Sequence, residues 1–187
     1  MQPSFVHWHF HYTEKEAGLS IDFRVEEIEP SHPTIPERLS TFLHERPNAG
    51  LWIIGSPSLL SQPWLALFCS SKCPGSLILQ AYDRSLALQK AGVPLASGFH
   101  SPVEQDSLRI ALRGEQQILV CPARGLEGMR IRKEYQKPIS EGRLLLASIF
   151  PGKLKRPTAE TACDRNRFVA ALAEKVLVIH TEPGGKI

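Results

Sequence analysis

From residue 51 onward, apolar and polar positions fall into two alternating patterns. Unbroken apolar runs of strand length occupy Leu51–Ile54, Trp64–Cys69, Val93–Ala96, Gln117–Cys121, Leu144–Phe150 and Val176–His180. Between most of them lie segments with helical spacing. Leu77, Leu79, Tyr82, Leu86 and Leu88 precede a stop at Ala91-Gly92. Val103, Leu108, Ile110 and Leu112 mark a second helix, and Ala162 to Ala173 a third, with Phe168, Val169 and Leu172 as its buried stripe. Strands without polar alternation are covered on both faces, and the intervening helices supply the cover. The pattern predicts an α/β fold, a Rossmann-like three-layer arrangement with a mainly parallel sheet and helices on both faces.

The first 48 residues differ. Pro30, Pro33, Pro36 and Pro47 interrupt any long element, and the segment is acidic. It reads as a short N-terminal appendage over 1–48, ahead of a core over 49–187. Its opening, His7-Trp8-His9-Phe10-His11-Tyr12, alternates with period two and would place three histidines on one strand face. On a strand this spacing spreads the imidazoles over roughly 13 Å, too far for one ion without bending. A polar strand face is the simpler reading, and no metal site is assigned.

Composition narrows the class. The 187 residues are 42% hydrophobic and 22% charged, the balance of a globular chain and not of a disordered one. No apolar stretch reaches membrane-spanning length and no signal-like N-terminus is present, so the expectation is a cytoplasmic protein without membrane contact. Four cysteines, Cys69, Cys73, Cys121 and Cys163, are too few for a disulfide scaffold and are expected to be reduced. The net charge of +3 conceals an uneven distribution: residues 1–50 carry −4 and residues 124–156 carry +6. The basic segment is either a solvated face or an anion-facing surface.

In open parallel sheets ligands sit beyond the carboxyl ends of the strands. Three loops there are rich in backbone donors and hydroxyls: Ser70-Ser71-Lys72-Cys73-Pro74-Gly75, Ser97-Gly98-Phe99-His100-Ser101-Pro102 and Thr181-Glu182-Pro183-Gly184-Gly185-Lys186. They are expected to converge on one edge. The chain has no GxSxG, HExxH, Walker A or GxGxxG motif, and the Cys69–Cys73 spacing lacks a second pair for zinc. No catalytic residue or cofactor is assigned. Glu104 has two readings, an acid or base and a helix-capping carboxylate. His100 likewise is a ligand-binding side chain or a hydrogen-bonded loop residue.

These loops resemble the Rossmann-like core of the DNA-processing protein A (DprA/Smf) family. Leu51 to Leu60 resembles the family's leading strand and "G-x-x-x-L-L" turn, and Leu65 to Lys72 the strand running into "G-S-R", with Cys69 at the glycine and Ser71 at the arginine. Ser97 to Leu112 follows the frame "S-G-x-A-R-G-I-D … R-G-A-L", with Ser101 at its arginine and Glu104 at its aspartate. Glu141 to Pro151 resembles "G-x-L-L-S-E-F-P". Arg165-Asn166-Arg167-Phe168 through Ala173 resembles "R-N-R-I-I-x-G-L-S". Measured against the family, the core stops before a final helix and strands.

The resemblance implies single-stranded DNA binding during natural transformation and recombination, a RecA-type recombinase as partner, and a homodimer. The implied phosphate- and nucleic-acid-binding residues are Ser70, Ser71, Lys72, Gly98, His100, Ser101, Arg124, Arg165, Asn166, Arg167, Gly184, Gly185 and Lys186. Arg130, Arg132 and Lys133 would flank them, with Phe99 and Tyr135 as stacking faces. A competing reading is a small-nucleotide binder or phosphoribohydrolase similar to LOG-type enzymes, because Pro183-Gly184-Gly185-Lys186 resembles the start of their "P-G-G-x-G-T" loop.

Overall fold

The computed structural model describes residues 23–46 and 50–182. Within them the order is β1 (Glu26–Ile28), α1 (Glu37–His44), β2 (Leu51–Ile54), a 3-10 turn (Pro57–Ser61), β3 (Leu65–Cys69), α2 (Gly75–Lys90), β4 (Leu95–Ser97), α3 (Pro102–Leu112), β5 (Ile118–Val120), α4 (Lys133–Ser140), β6 (Leu144–Ser148), α5 (Ala159–Leu172) and β7 (Lys175–His180). The histidine run at 7–12 and Gly184, Gly185 and Lys186 lie outside the described residues.

One sheet holds all seven strands in the order β1-β2-β6-β5-β4-β3-β7. From β6 to β7 the pairing is parallel, as the unbroken apolar runs predicted. β2 departs from that expectation: it runs antiparallel to β6, and β1 runs antiparallel to β2. The cause lies in its connection. A parallel crossover needs a dozen or more residues and usually a helix, whereas residues 55–64 hold only the 3-10 turn. An antiparallel β2 ends at the sheet edge where β3 begins, and residues 55–64 need only travel about 19 Å along that edge, four strand spacings.

Alternating strand residues divide the interior into two cores. Ala66, Phe68, Ala96, Leu119, Leu145 and Ala147 face α1 and α5, where they meet Leu39, Leu43, Phe168 and Leu172. Leu67, Leu95, Ile118, Val120, Leu144 and Leu146 face the other way, onto Leu108 and Ala111 of α3 and Tyr135 and Ile139 of α4. Near the carboxyl end of β3, Cys69 packs with Ala81 of α2 and Val103 of α3. Helices therefore cover both faces, in three layers.

Residues 23–46 build into this body. Ile28, Leu39 and Leu43 are buried in the same cluster as Leu51 and Phe168, each contributing about 1.5–3 kcal/mol by burial. Arg38 donates twice to the Leu172 carbonyl, at 3.2 and 2.8 Å, and Arg46 pairs with Asp164 at 2.9 Å. These contacts tie α1 along α5. The acidic composition and prolines of the segment concealed them, because the apolar residues that matter are few and widely spaced.

Candidate nucleic-acid interface

The strand order fixes where a ligand can enter. β3 opens the parallel run, with β4, β5 and β6 following to one side and β7 returning on the other, so the order reverses between β3 and β7. At such a switch point the loops leave toward opposite faces and open a crevice at the carboxyl ends. The loops after β3, β4 and β7 are therefore neighbours, as expected. Ser70 joins two of them directly: its N–H donates to the His180 carbonyl at 2.9 Å, and its Oγ accepts from the Glu182 N–H at 3.2 Å. Ser71 and Lys72 project into solvent beyond it.

The loop after β4 is held by side chains accepting from backbone. Ser97 Oγ accepts from the Phe99 N–H at 3.2 Å, which supports Phe99 in a left-handed conformation, φ 48°. Ser101 caps α3 by accepting from the Glu104 N–H at 3.3 Å, and Glu104 answers by accepting from the Ser101 N–H at 3.2 Å, a capping box. The same carboxylate reaches further. It accepts from the His100 N–H at 2.8 Å and, through its other oxygen, from the Cys69 N–H at 3.0 Å. Buried Glu104 thus fastens the end of β3 to the loop after β4. Both of its oxygens are engaged, so the capping alternative describes its contacts.

Arg165 completes this cluster from the opposite face. It projects from the middle of α5 and is only 6% exposed. Its Nη1 donates to the Cys121 carbonyl at the end of β5, at 3.1 Å, and its Nε donates to Asn166 Oδ1 at 2.8 Å. The guanidinium lies over Gly98, and a Cβ at that position would overlap it. A side chain here would displace the guanidinium, so glycine is favoured by close approach, not by backbone angle. Burial pulls the Arg165 pKa below its ordinary value, while Glu104 and Cys121 oppose the shift. Burial also pushes the Cys121 thiol up to about 12, partly offset by Arg165.

The structure brings Gly98, Ser101, Arg165 and Asn166 into one cluster, with Ser70 in the adjoining loop. His100 is exposed and joins the cluster through its backbone. Arg167 sits elsewhere, exposed on α5 and paired with Asp164 at 3.4 Å beside Arg46. Arg124 lies in the loop after β5, where its carbonyl accepts from Ser148 Oγ at 2.8 Å. Sequence reasoning named Ser97 only as part of its loop and missed Ser148; the two turn the chain in the same way, and Ser148 Oγ accepts from the Phe150 N–H at 3.1 Å. A serine ending an apolar strand, two residues before a buried phenylalanine, is the signal both share.

Two expectations are corrected. Phe99 and Tyr135 are each 6% exposed and offer no stacking face, because both belong to the α3–α4 core and Arg132 covers the Tyr135 ring at 5.6 Å. The basic segment also does not form one surface. Arg143 precedes β6 at the opposite edge, where it pairs with Glu141 at 3.1 Å and donates to the Gly114 carbonyl; Lys137 pairs with Glu141 there too, at 3.6 Å. Arg124, Arg130, Arg132, Lys133, Lys153, Lys155 and Arg156 occupy the loops after β5 and β6, or the start of α4, on the candidate edge.

The family model for DNA recombination-mediator protein A matches residues 27–185, nearly the whole described body. The chain belongs to the DNA recombination-mediator protein A family. DNA processing protein A from Helicobacter pylori, whose structure was solved to describe its single-stranded DNA binding mode, shares the fold at a TM-score of 0.62 and 19% identity. That match covers 83% of this chain and 69% of the other. DNA processing protein A (DprA) from Streptococcus pneumoniae matches with a TM-score of 0.61 and 20% identity, over 83% of this chain and 53% of that one. This family member thus spans about half the length of the streptococcal protein. Curated protein sequences include no significant match. No described helix is long and apolar enough to cross a membrane.

Proposed function

We propose that this protein binds single-stranded DNA by its phosphate backbone, along the carboxyl-end edge of its parallel strands, in DNA uptake and recombination. The carrying observation is the set of exposed cations in the loops after β3, β5 and β6: Lys72, Arg130, Arg132, Lys133, Lys153 and Arg156. Phosphate neutralisation by such side chains dominates binding that is indifferent to sequence. The Helicobacter pylori relative, described by its single-stranded DNA binding mode, supports the same reading. Ser70, Ser71, Lys72 and the Arg165 cluster form the inner wall of the edge.

Because Phe99 and Tyr135 are buried, phosphate contacts carry the interaction in place of base stacking. Fluorescence anisotropy of a labelled oligonucleotide across a salt series tests this. Affinity is expected to fall with salt at a log–log slope of about −0.7 per phosphate contacted, and to be equal for a normal strand and one rich in abasic sites. Replacing Lys72, Arg130 and Lys133 with glutamine should flatten the slope. No binding at low salt, or binding without a slope, overturns the proposal. A thermal-shift screen with nucleoside mono- and triphosphates separates it from the small-nucleotide reading, which predicts stabilisation by the free nucleotide.

The proposal extends to the cytoplasm as location, a RecA-type recombinase as recipient of the strand, and a homodimer as the working unit. Supporting the last, Val176 and Val178 of the edge strand β7 are exposed, in register with Ala66 and Phe68 of β3. Sedimentation equilibrium should give a dimer mass that Val178→Lys reduces to that of one chain. A monomer at all concentrations removes the homodimer from the proposal.

A further inference from the structure

Cys69 ends β3 with its side chain buried, and Cys73 stands at the far side of the following loop, partly exposed. Cys73 packs against the cluster of Cys69, Ala81 and Val103, close enough for the two thiols to act on each other, and its Sγ–H donates to the Pro74 carbonyl at 3.8 Å. Among the described thiols this closeness is confined to that pair: Cys121 is sealed in the core on the other face of the sheet, and Cys163 rides on α5. Between the paired thiols lie Ser70, Ser71 and Lys72. The proposed DNA contact uses neither sulfur.

We propose that Cys69 and Cys73 form a dithiol site at which a low-molecular-weight disulfide, such as oxidised glutathione, closes an intramolecular bridge around Ser70, Ser71 and Lys72. Access orders the steps. Thiol–disulfide exchange requires a thiolate and an open path to it, and Cys73 is the more exposed partner. Its thiolate attacks one sulfur of oxidised glutathione, forming a mixed disulfide and expelling a glutathione thiolate, which takes up a proton. Cys69 then loses its proton to solvent and attacks the Cys73 sulfur, and the second glutathione leaves. Two protein thiols are oxidised, and one disulfide is reduced to two thiols. Burial, with Cys73 and Glu104 adding to it, pushes the Cys69 thiol up to about 12, so the second step quickens as pH rises.

The test incubates the full chain with defined ratios of oxidised to reduced glutathione at mildly alkaline pH, quenches with a maleimide, and maps the thiols by mass spectrometry after proteolysis. The expected result is a peptide lacking two hydrogens, with Cys69 and Cys73 joined and Cys121 and Cys163 still free thiols. Cys73→Ser, checked for folding by its melting curve, should abolish the bridge. A lasting glutathione adduct on Cys73, a bond from Cys73 to Cys163 or to a second chain, or two unmodified thiols would each overturn the proposal. The bridge requires nothing of the nucleic-acid reading, and a chain that bridges without binding oligonucleotide separates the two.

Discussion

Replacing Arg165 with methionine is expected to lower the unfolding free energy by about 3–5 kcal/mol, the cost of removing one partner from a buried charged network. The substitution keeps the length and bulk of the side chain, so the loss reports polar contacts and not a cavity. The Cys121 carbonyl loses its donor, Asn166 Oδ1 loses the Nε–H, and Glu104 loses a nearby cation. For a chain of this size that loss corresponds to a fall in melting temperature of roughly 6–20 °C. Urea titration with the slope held common measures it. A variant within about 1 kcal/mol of the parent, the range of an ordinary substitution, would sink the idea that this guanidinium holds the strand ends together. Lysine at the same position should recover only part of the loss, since an ammonium cannot reproduce the guanidinium's two donor directions.

Glu104→Ala should be of similar size, again about 3–5 kcal/mol, for a different reason. Its carboxylate accepts from the backbone N–H groups of Cys69, His100 and Ser101, all of which are left without that partner in the middle of the candidate site. The α3 capping box accounts for about 1 kcal/mol of this, and the remainder comes from the link between β3 and the loop after β4. Because Arg165 and Glu104 share one network, the double variant is expected to lose clearly less than the two single losses added together. Strict additivity would show that the two side chains act separately. In hydrogen exchange, Glu104→Ala should expose the amides of Cys69 and His100 before those of β5 or β6.

Much of this architecture is legible in the sequence, and the reason is burial on both faces. Runs such as Leu65–Cys69 and Leu144–Ser148 have no polar alternation, and only a sheet covered on each side accommodates them. The helix around Phe168 shows its buried stripe for the same reason, whereas α2 buries only Ala81 and Ser85, which its apolar spacing did not single out. Elements with little apolar material escaped notice. β1 buries only Ile28 of its three residues, and α1 buries only Leu39 and Leu43. α4 presents charged residues around a small apolar patch of Tyr135 and Ile139, and so reads as a basic segment before it reads as a helix.

By itself, the sequence determined the layer architecture and the edge at which the loops after β3, β4 and β7 meet, because those follow from local apolar period and from the loops that leave each strand. Tertiary structure alone decided which residues share that edge. Gly98 and Glu104, Cys121, and Arg165 come from three separate stretches, and their meeting depends on α5 crossing the face opposite α3. It also decided the direction of β2, the burial of Phe99 and Tyr135, and the division of the basic segment between opposite edges. A one-dimensional pattern records how often a residue is buried, but not which distant residue it meets. The contacts that hold this site are almost all of the second kind.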